Sequence, residues 1–220
     1  MAILRRTKNK TTTEPGDDAP ETVVAPPAPR ADGPFDSSEK STEGESAYVD
    51  FGALKVRGRV GFEIRVQADG DSEDVGSAVL VTEDSALELR AFASSRTGGL
   101  WDEVRAELIA EVERLDGTHE TIEGAFGPEL HLRIPITMED GDSGFQPSRI
   151  VVVEGPRWML RGTFLGQAAL TPDDDGLLFR AFRDVVVTRG TEAMASRDPL
   201  FLTLPNNALV VDPDADTGAE

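Results

Sequence analysis

The sequence predicts an α+β domain: a largely antiparallel sheet of about 7–9 strands with two main helices. Three observations carry this. Apolar residues recur at every second position through the middle of the chain. The links between these runs are short and rich in Gly, Asp and Pro. Two stretches then break the alternation with helical spacing. A period of two marks half-buried strands, tight turns join antiparallel neighbours, and a stripe every three to four residues marks a helix.

Four runs alternate most clearly. Phe62, Ile64 and Val66 interleave with Glu63, Arg65 and Gln67, and Leu87, Leu89, Ala91 and Ala93 with Glu88, Arg90 and Phe92. Leu130, Leu132, Ile134 and Ile136 interleave with Glu129, His131, Arg133 and Pro135. Trp158, Leu160, Gly162 and Phe164 do so with Arg157, Met159, Arg161 and Thr163. Further strands are expected at Tyr48–Val56, Val75–Val81, Thr118–Ala125, Arg149–Val153, Val185–Thr188 and Pro199–Leu204. Turns fall at Asp69-Gly70, Gly124 to Pro128, Asp140-Gly141 and Glu154-Gly155-Pro156.

The first helix is Gly99–Leu115, where Trp101, Val104, Leu108, Ile109, Val112 and Leu115 form the apolar stripe. Asp102, Glu103, Glu107 and Glu111 lie on the other side. The second is expected to start at Thr171 as N-cap, with Pro172 at the first helical position and Asp173–Asp175 in the first turn. Leu178, Ala181, Phe182 and Val185 continue its apolar stripe.

Composition sets the boundaries. Residues 1–47 hold six of the fourteen prolines among Thr, Ser, Gly, Asp and Glu, too few apolar side chains to offset the ordering entropy. They are expected to be disordered, with Pro26-Pro27-Ala28-Pro29 an extended spacer. Residues 207–220 carry four acids and no base and make a second, acidic tail. The domain is therefore placed at residues 48–206, with 16 bases and 28 acids.

The formal net charge of −19 argues against nucleic acid or an anionic membrane surface as partner. No stretch has the roughly 20 apolar residues of a spanning helix, and no secretory signal follows the basic start, so a cytoplasmic protein is expected. The absence of Cys removes disulfides, thiolate metal sites and a cysteine nucleophile. Two histidines, His119 and His131, make a poor metal site without placed acids. Asp212, Asp214 and Asp216 copy the start of a calcium loop, but Thr217 stands where glycine is needed. No phosphate-cradling loop and no GxSxG elbow occur. Gly98-Gly99 before a helix, with Arg96 beside it, reads either as an anion site or as a flexible turn. No catalytic residue, metal or cofactor is assigned.

One constellation survives. If Leu89, Leu132 and Trp158 face the helices, the reverse face carries Glu63, Arg65, Glu88, Arg90, His131, Arg133, Arg157 and Arg161, with Phe92 and Met159 among them. It reads as a solvated face of cross-strand ion pairs or as a binding surface for an acidic partner. The residues chosen for the binding reading are Arg90, Arg133, Arg157, Arg161 and Met159, with His131 alongside.

The strings Asp84–Ala93, Gly99–Arg105 and Gly155-Pro-Arg-Trp-Met-Leu-Arg-Gly162 resemble those of domain-of-unknown-function family 3710 from high-GC Gram-positive bacteria. So do Arg189–Met194, Arg197–Leu200 and Leu204-Pro205. The resemblance spans roughly residues 48–205 and implies a cytoplasmic bacterial protein with no established activity. The order of elements is more loosely similar to the Mog1/PsbP-like α/β/α sandwich, whose members mostly bind proteins. The leading expectation is a non-enzymatic interaction or accessory module with an unidentified protein partner. The alternative is a small-molecule or anion-binding protein, in its enzyme form using the Arg face with His131 as acid or base. The sequence sets no oligomeric state.

Overall fold

The computed structural model describes residues 32–68, 74–137 and 141–205. Three short strands come first: β1 (Phe35–Asp36), β2 (Tyr48–Asp50) and β3 (Leu54–Arg57). β4 (Glu63–Ala68), β5 (Val75–Val81) and β6 (Ser85–Ala93) follow, then helix α1 (Leu100–Arg114). β7 (Thr118–Gly124), β8 (Gly127–Thr137), β9 (Ser143–Gly155) and β10 (Trp158–Gly166) form a meander. The short helices α2 (Gln167–Leu170) and α3 (Leu177–Arg183) and strand β11 (Val186–Val187) complete the fold.

The strands form two sheets. Seven pair antiparallel in the order β4-β5-β6-β10-β9-β8-β7. The other four pair in the order β1-β11-β3-β2, with β1 parallel to β11. The α+β class and the antiparallel main sheet are as the alternation predicts.

Both faces of the large sheet are covered. On one, Leu87, Leu89, Val151, Val153, Trp158, Leu160 and Phe164 pack with Phe179 and Phe182 of α3 and with Leu54, Val56 and Val187 of the small sheet. On the other, Leu130, Leu132, Ile150, Val152 and Met159 pack with Leu100, Trp101 and Val112 of α1. A three-layer α/β/α sandwich would have helices on both faces; here the first face carries the four-stranded sheet together with α3. Gly162 permits a close approach of α3 on that face, since a Cβ there would stand 2.7 Å from the Phe182 ring.

Four expectations are revised. Tyr48–Val56 is two strands, because the chain folds back at Phe51–Ala53 and pairs Val49 with Val56. Pro199–Leu204 adds single bridges, from Pro199 to Phe92 and from Leu202 to Val75 and Gly52. The second helix does not start at Thr171, whose N–H instead closes α2 on the Gln167 carbonyl. The acids read as its first turn are used otherwise: Asp173 accepts from the backbone of Asp175 and Gly176, and Asp174 reaches an arginine on β9. α3 therefore begins only at Leu177. Finally, Phe35–Asp36 lies within residues placed in the tail, yet Asp36 is buried and accepts a bond from Trp158 Nε1 at 2.7 Å. Of the expected N-terminal tail, residues 32–47 are described and 1–31 are not; the expected tail at residues 207–220 lies wholly outside the described residues.

Candidate functional site

Strand register decides which sequence-chosen residues meet. Arg161 stands opposite Arg90, and Met159 opposite Phe92, in the β6–β10 pair. These four side chains share the face that carries α1. Leu130 pairs with Ile150 and Leu132 with Ser148, so Leu132 is on that face too. His131 and Arg133 therefore belong to the opposite face, with Leu89 and Trp158. The expected single constellation is split between two faces. Because both faces are buried, apolar residues occupy both parities, and alternation alone cannot align one strand's inward set with another's.

The individual positions differ further. Met159 is 1% exposed beneath α1 and is a core residue, not a surface anchor. Arg161 lies 5.5 Å over the Phe92 ring. Burial lowers its pKa from the usual arginine value, with Glu88 opposing that shift and Arg90 adding to it. Arg90 pairs with Glu88 at 2.8 Å on its own strand. Arg157 sits in the β9–β10 turn at φ 65°, its carbonyl accepting from Ser94 N–H. The Arg90–Arg161 part of the expected set is thus a half-buried, partly self-neutralised sheet face.

The Gly98-Gly99 question is resolved by an internal group. The Glu154 carboxylate of β9 accepts the N–H of Gly99 at 3.1 Å and of Leu100 at 2.8 Å. A side-chain carboxylate from another strand thus caps α1 at its positive end, where an external anion would otherwise go. Glu154→Ala should cost about 0.5–2 kcal/mol, the range for losing an N-cap, and a denaturant melt would read it. An unchanged midpoint would show that the cap carries no stability.

His131 and Arg133 line a groove on the face away from α1. One part, of about 420 Å³, is bounded by Thr118, Glu120, Ile122, Arg133, Leu170 and Pro172. A second part, of about 380 Å³, is bounded by Glu123, Gly124, Glu129, Arg149, Asp173 and Asp174. Ile122, His131 and Pro172 belong to both, so the two are continuous. The groove follows β7, the last strand of the large sheet among the described residues, from the β7–β8 turn towards Thr118. Its wall presents apolar surface, with Leu170 55% and Ile122 39% exposed.

At its floor lies an ion cluster that the alternation pattern does not single out. Arg149 is 3% exposed, and its Nε and one Nη bond both oxygens of buried Glu129 at 2.6 and 3.0 Å. The same Nη reaches Asp174 at 2.7 Å, and the guanidinium lies over Phe164 and Phe179. Burial opposes its charge, but the bonds to Glu129 and Asp174 prevail and raise its pKa. His131 Nε2 stands 3.8 Å from Glu129. Arg149 also borders a third hollow of about 240 Å³, lined by Thr82, Ser85, Phe164, Gln167 and Phe179. His119 is apart from this cluster, 3.1 Å from Glu113 of α1. Among the described residues no group of three or more acids and histidines could hold a metal ion. Nor is any described helix long and apolar enough to cross a membrane.

A family model described as "Protein of unknown function (DUF3710)" matches residues 33–210. The match opens two residues ahead of β1 and takes in both sheets and the groove. No curated protein matches the chain.

Proposed function

The chain belongs to the DUF3710 family of proteins of unknown function, and from that premise we propose a protein-interaction module of the bacterial cytoplasm that takes an extended polypeptide in the β7 groove. One observation carries the reading: two hollows that share Ile122, His131 and Pro172 run as one trough beside a strand that ends the sheet among the described residues. A trough about as long as a seven-residue strand, near 23 Å, suits an extended segment better than a compact metabolite. Leu170 and Ile122 supply apolar contact, and Arg133 and His131 supply donors for a carboxylate. Arg90, Arg157 and Arg161 lie away from the trough and serve as the comparison surface.

The test is capture of partners from native extract by the full chain. Leu170→Asp with Arg133→Glu should abolish a reproducible partner, while Arg157→Glu should leave it bound. Loss with Arg157→Glu alone would move the binding surface to the β9–β10 turn and end the groove assignment.

A small-molecule reading has its own support in the 240 Å³ hollow, where Phe164 and Phe179 flank Arg149 and Thr82, Ser85 and Gln167 add polar groups. Its volume falls below the roughly 300–1,000 Å³ of common ligand sites, which favours the groove reading.

A further inference from the structure

We infer that the outer face of the small sheet binds a phosphoryl dianion, through Lys40, Arg57 and Arg59 gathered around Asp184. The site uses other residues than the groove and does not depend on the preceding reading.

Alternation in β3 puts the site where solvent reaches it. Leu54 and Val56 face the core, so Lys55 and Arg57 face outward, and Arg57 stands opposite Tyr48 of β2. Lys40, between β1 and β2 in the chain, reaches the same place. Its Nζ lies 4.5 Å from the centre of the Phe35 ring and 5.4 Å from that of Tyr48. Asp184 follows the last residue of α3, and the Tyr48 hydroxyl donates to its carbonyl at 3.2 Å.

Charge does not balance there. Lys40 Nζ and Arg57 Nη1 each stand 4.0 Å from the Asp184 carboxylate, beyond hydrogen-bond reach, while Arg59 pairs with it directly. Among the described residues, neither Lys40 nor Arg57 has another acid or a side-chain hydrogen bond. Arg59 Nε is buried and has no partner among them either. Other carboxylates of this region are committed: Glu39 accepts the Asp36 N–H at 2.8 Å, and Asp50 pairs with Lys55 at 3.4 Å. One carboxylate thus faces three cations, in a chain with 41 acids and 22 bases. Like charges held around one point repel each other, a cost that a second anion removes.

The surplus of two charges matches a phosphate monoester, which carries about −1.5 to −2 at pH 7. Its three terminal oxygens can accept from one ammonium and two guanidinium groups at once, where a carboxylate offers only two. The Phe35 and Tyr48 rings hold Lys40, and Asp184 holds Arg59, before any ligand arrives. Little side-chain freedom is then left to lose on binding.

The test titrates the isotope-labelled full chain with O-phosphoserine, glycerol 3-phosphate or acetate at constant ionic strength, read by amide NMR shifts. Both phosphates should give saturating shifts around Lys40, Tyr48 and Arg57, with a dissociation constant on the order of 1 mM. Acetate should bind about ten times more weakly or less. Tighter binding of O-phosphoserine would name a protein-borne phosphate as the source; tighter binding of glycerol 3-phosphate would name a metabolite. Lys40→Gln with Arg57→Gln should weaken the phosphates about tenfold. Arg57→Gln alone should weaken them about threefold, and keeps the test open if the double variant misfolds. Arg133→Gln, in the groove, should change nothing. The inference is overturned by no saturating shift from either phosphate, by acetate binding as well as they do, or by unchanged binding in a folded Arg57→Gln variant. Loss with Arg133→Gln alone overturns it too, by moving the anion to the groove.

Discussion

Replacing Arg149 with alanine should destabilise the domain by about 3–5 kcal/mol, the cost of stranding one member of a buried ion pair. Glu129 is 2% exposed, and Arg149 supplies hydrogen bonds to both of its carboxylate oxygens. Without the guanidinium that charge stays buried, with His131 Nε2 3.8 Å away. Asp174 would lose its contact as well, releasing the Thr171–Gly176 connection from the sheet. The double variant Arg149→Met with Glu129→Leu should recover most of the loss, since apolar replacement of a whole buried pair is often neutral. Urea melts of both variants decide it, and a single variant within about 1 kcal/mol of the parent would show that water reaches Glu129. The pH sign is set by the raised arginine pKa. A raised pKa adds stability that is fully present below the ordinary arginine value and fades only as pH rises through the higher folded value. The loss in Arg149→Ala should therefore show no dependence on arginine titration anywhere near neutrality.

The fold is legible in the sequence because its information is local. The alternation at Leu87–Ala93 and Trp158–Phe164 and the stripe of Gly99–Leu115 each reflect one element meeting one core. The candidate site is less so, because it depends on how strands are aligned with one another. Nothing local in β8 says whether Leu132 or His131 shares a face with Trp158; the pairing of Leu130 with Ile150 does. Arg149 does leave a trace: it shares parity with Val151 and Val153, and Glu129 falls opposite in parity to Leu130 and Leu132. An arginine and a glutamate on the same inward face of adjacent strands is the mark of a buried pair. The Thr171–Asp175 run misleads because Thr, Pro and Asp favour a turn and a helix start alike. Phe35–Asp36 is hidden inside a proline-rich composition, where two residues cannot outweigh their neighbours. What fixes them is a distant tryptophan.

That tryptophan gives the second large effect. Trp158→Ala should cost about 3–5 kcal/mol, the range for truncating a buried aromatic. The ring has no exposed surface and lies in the core under the small sheet, and Gly155 is shaped to it, since a Cβ there would stand 2.1 Å from the indole. Trp158→Phe separates packing from polarity. It keeps most of the apolar volume but removes the Nε1–H that Asp36 accepts at 2.7 Å, leaving Asp36 bonded to Ser38 through its other oxygen. A carboxylate short of one donor at a buried site should cost about 1–3 kcal/mol. The same bond makes a prediction about the boundary of the domain. A chain shortened to begin at Tyr48 lacks β1 and Asp36, and so should lose at least as much stability as Trp158→Phe. One beginning at Asp32 keeps both and should melt with the full chain. If both shortened chains melted alike, β1 would be a decoration on the small sheet; if only the shorter one fell, the fold would begin where the indole finds its acceptor.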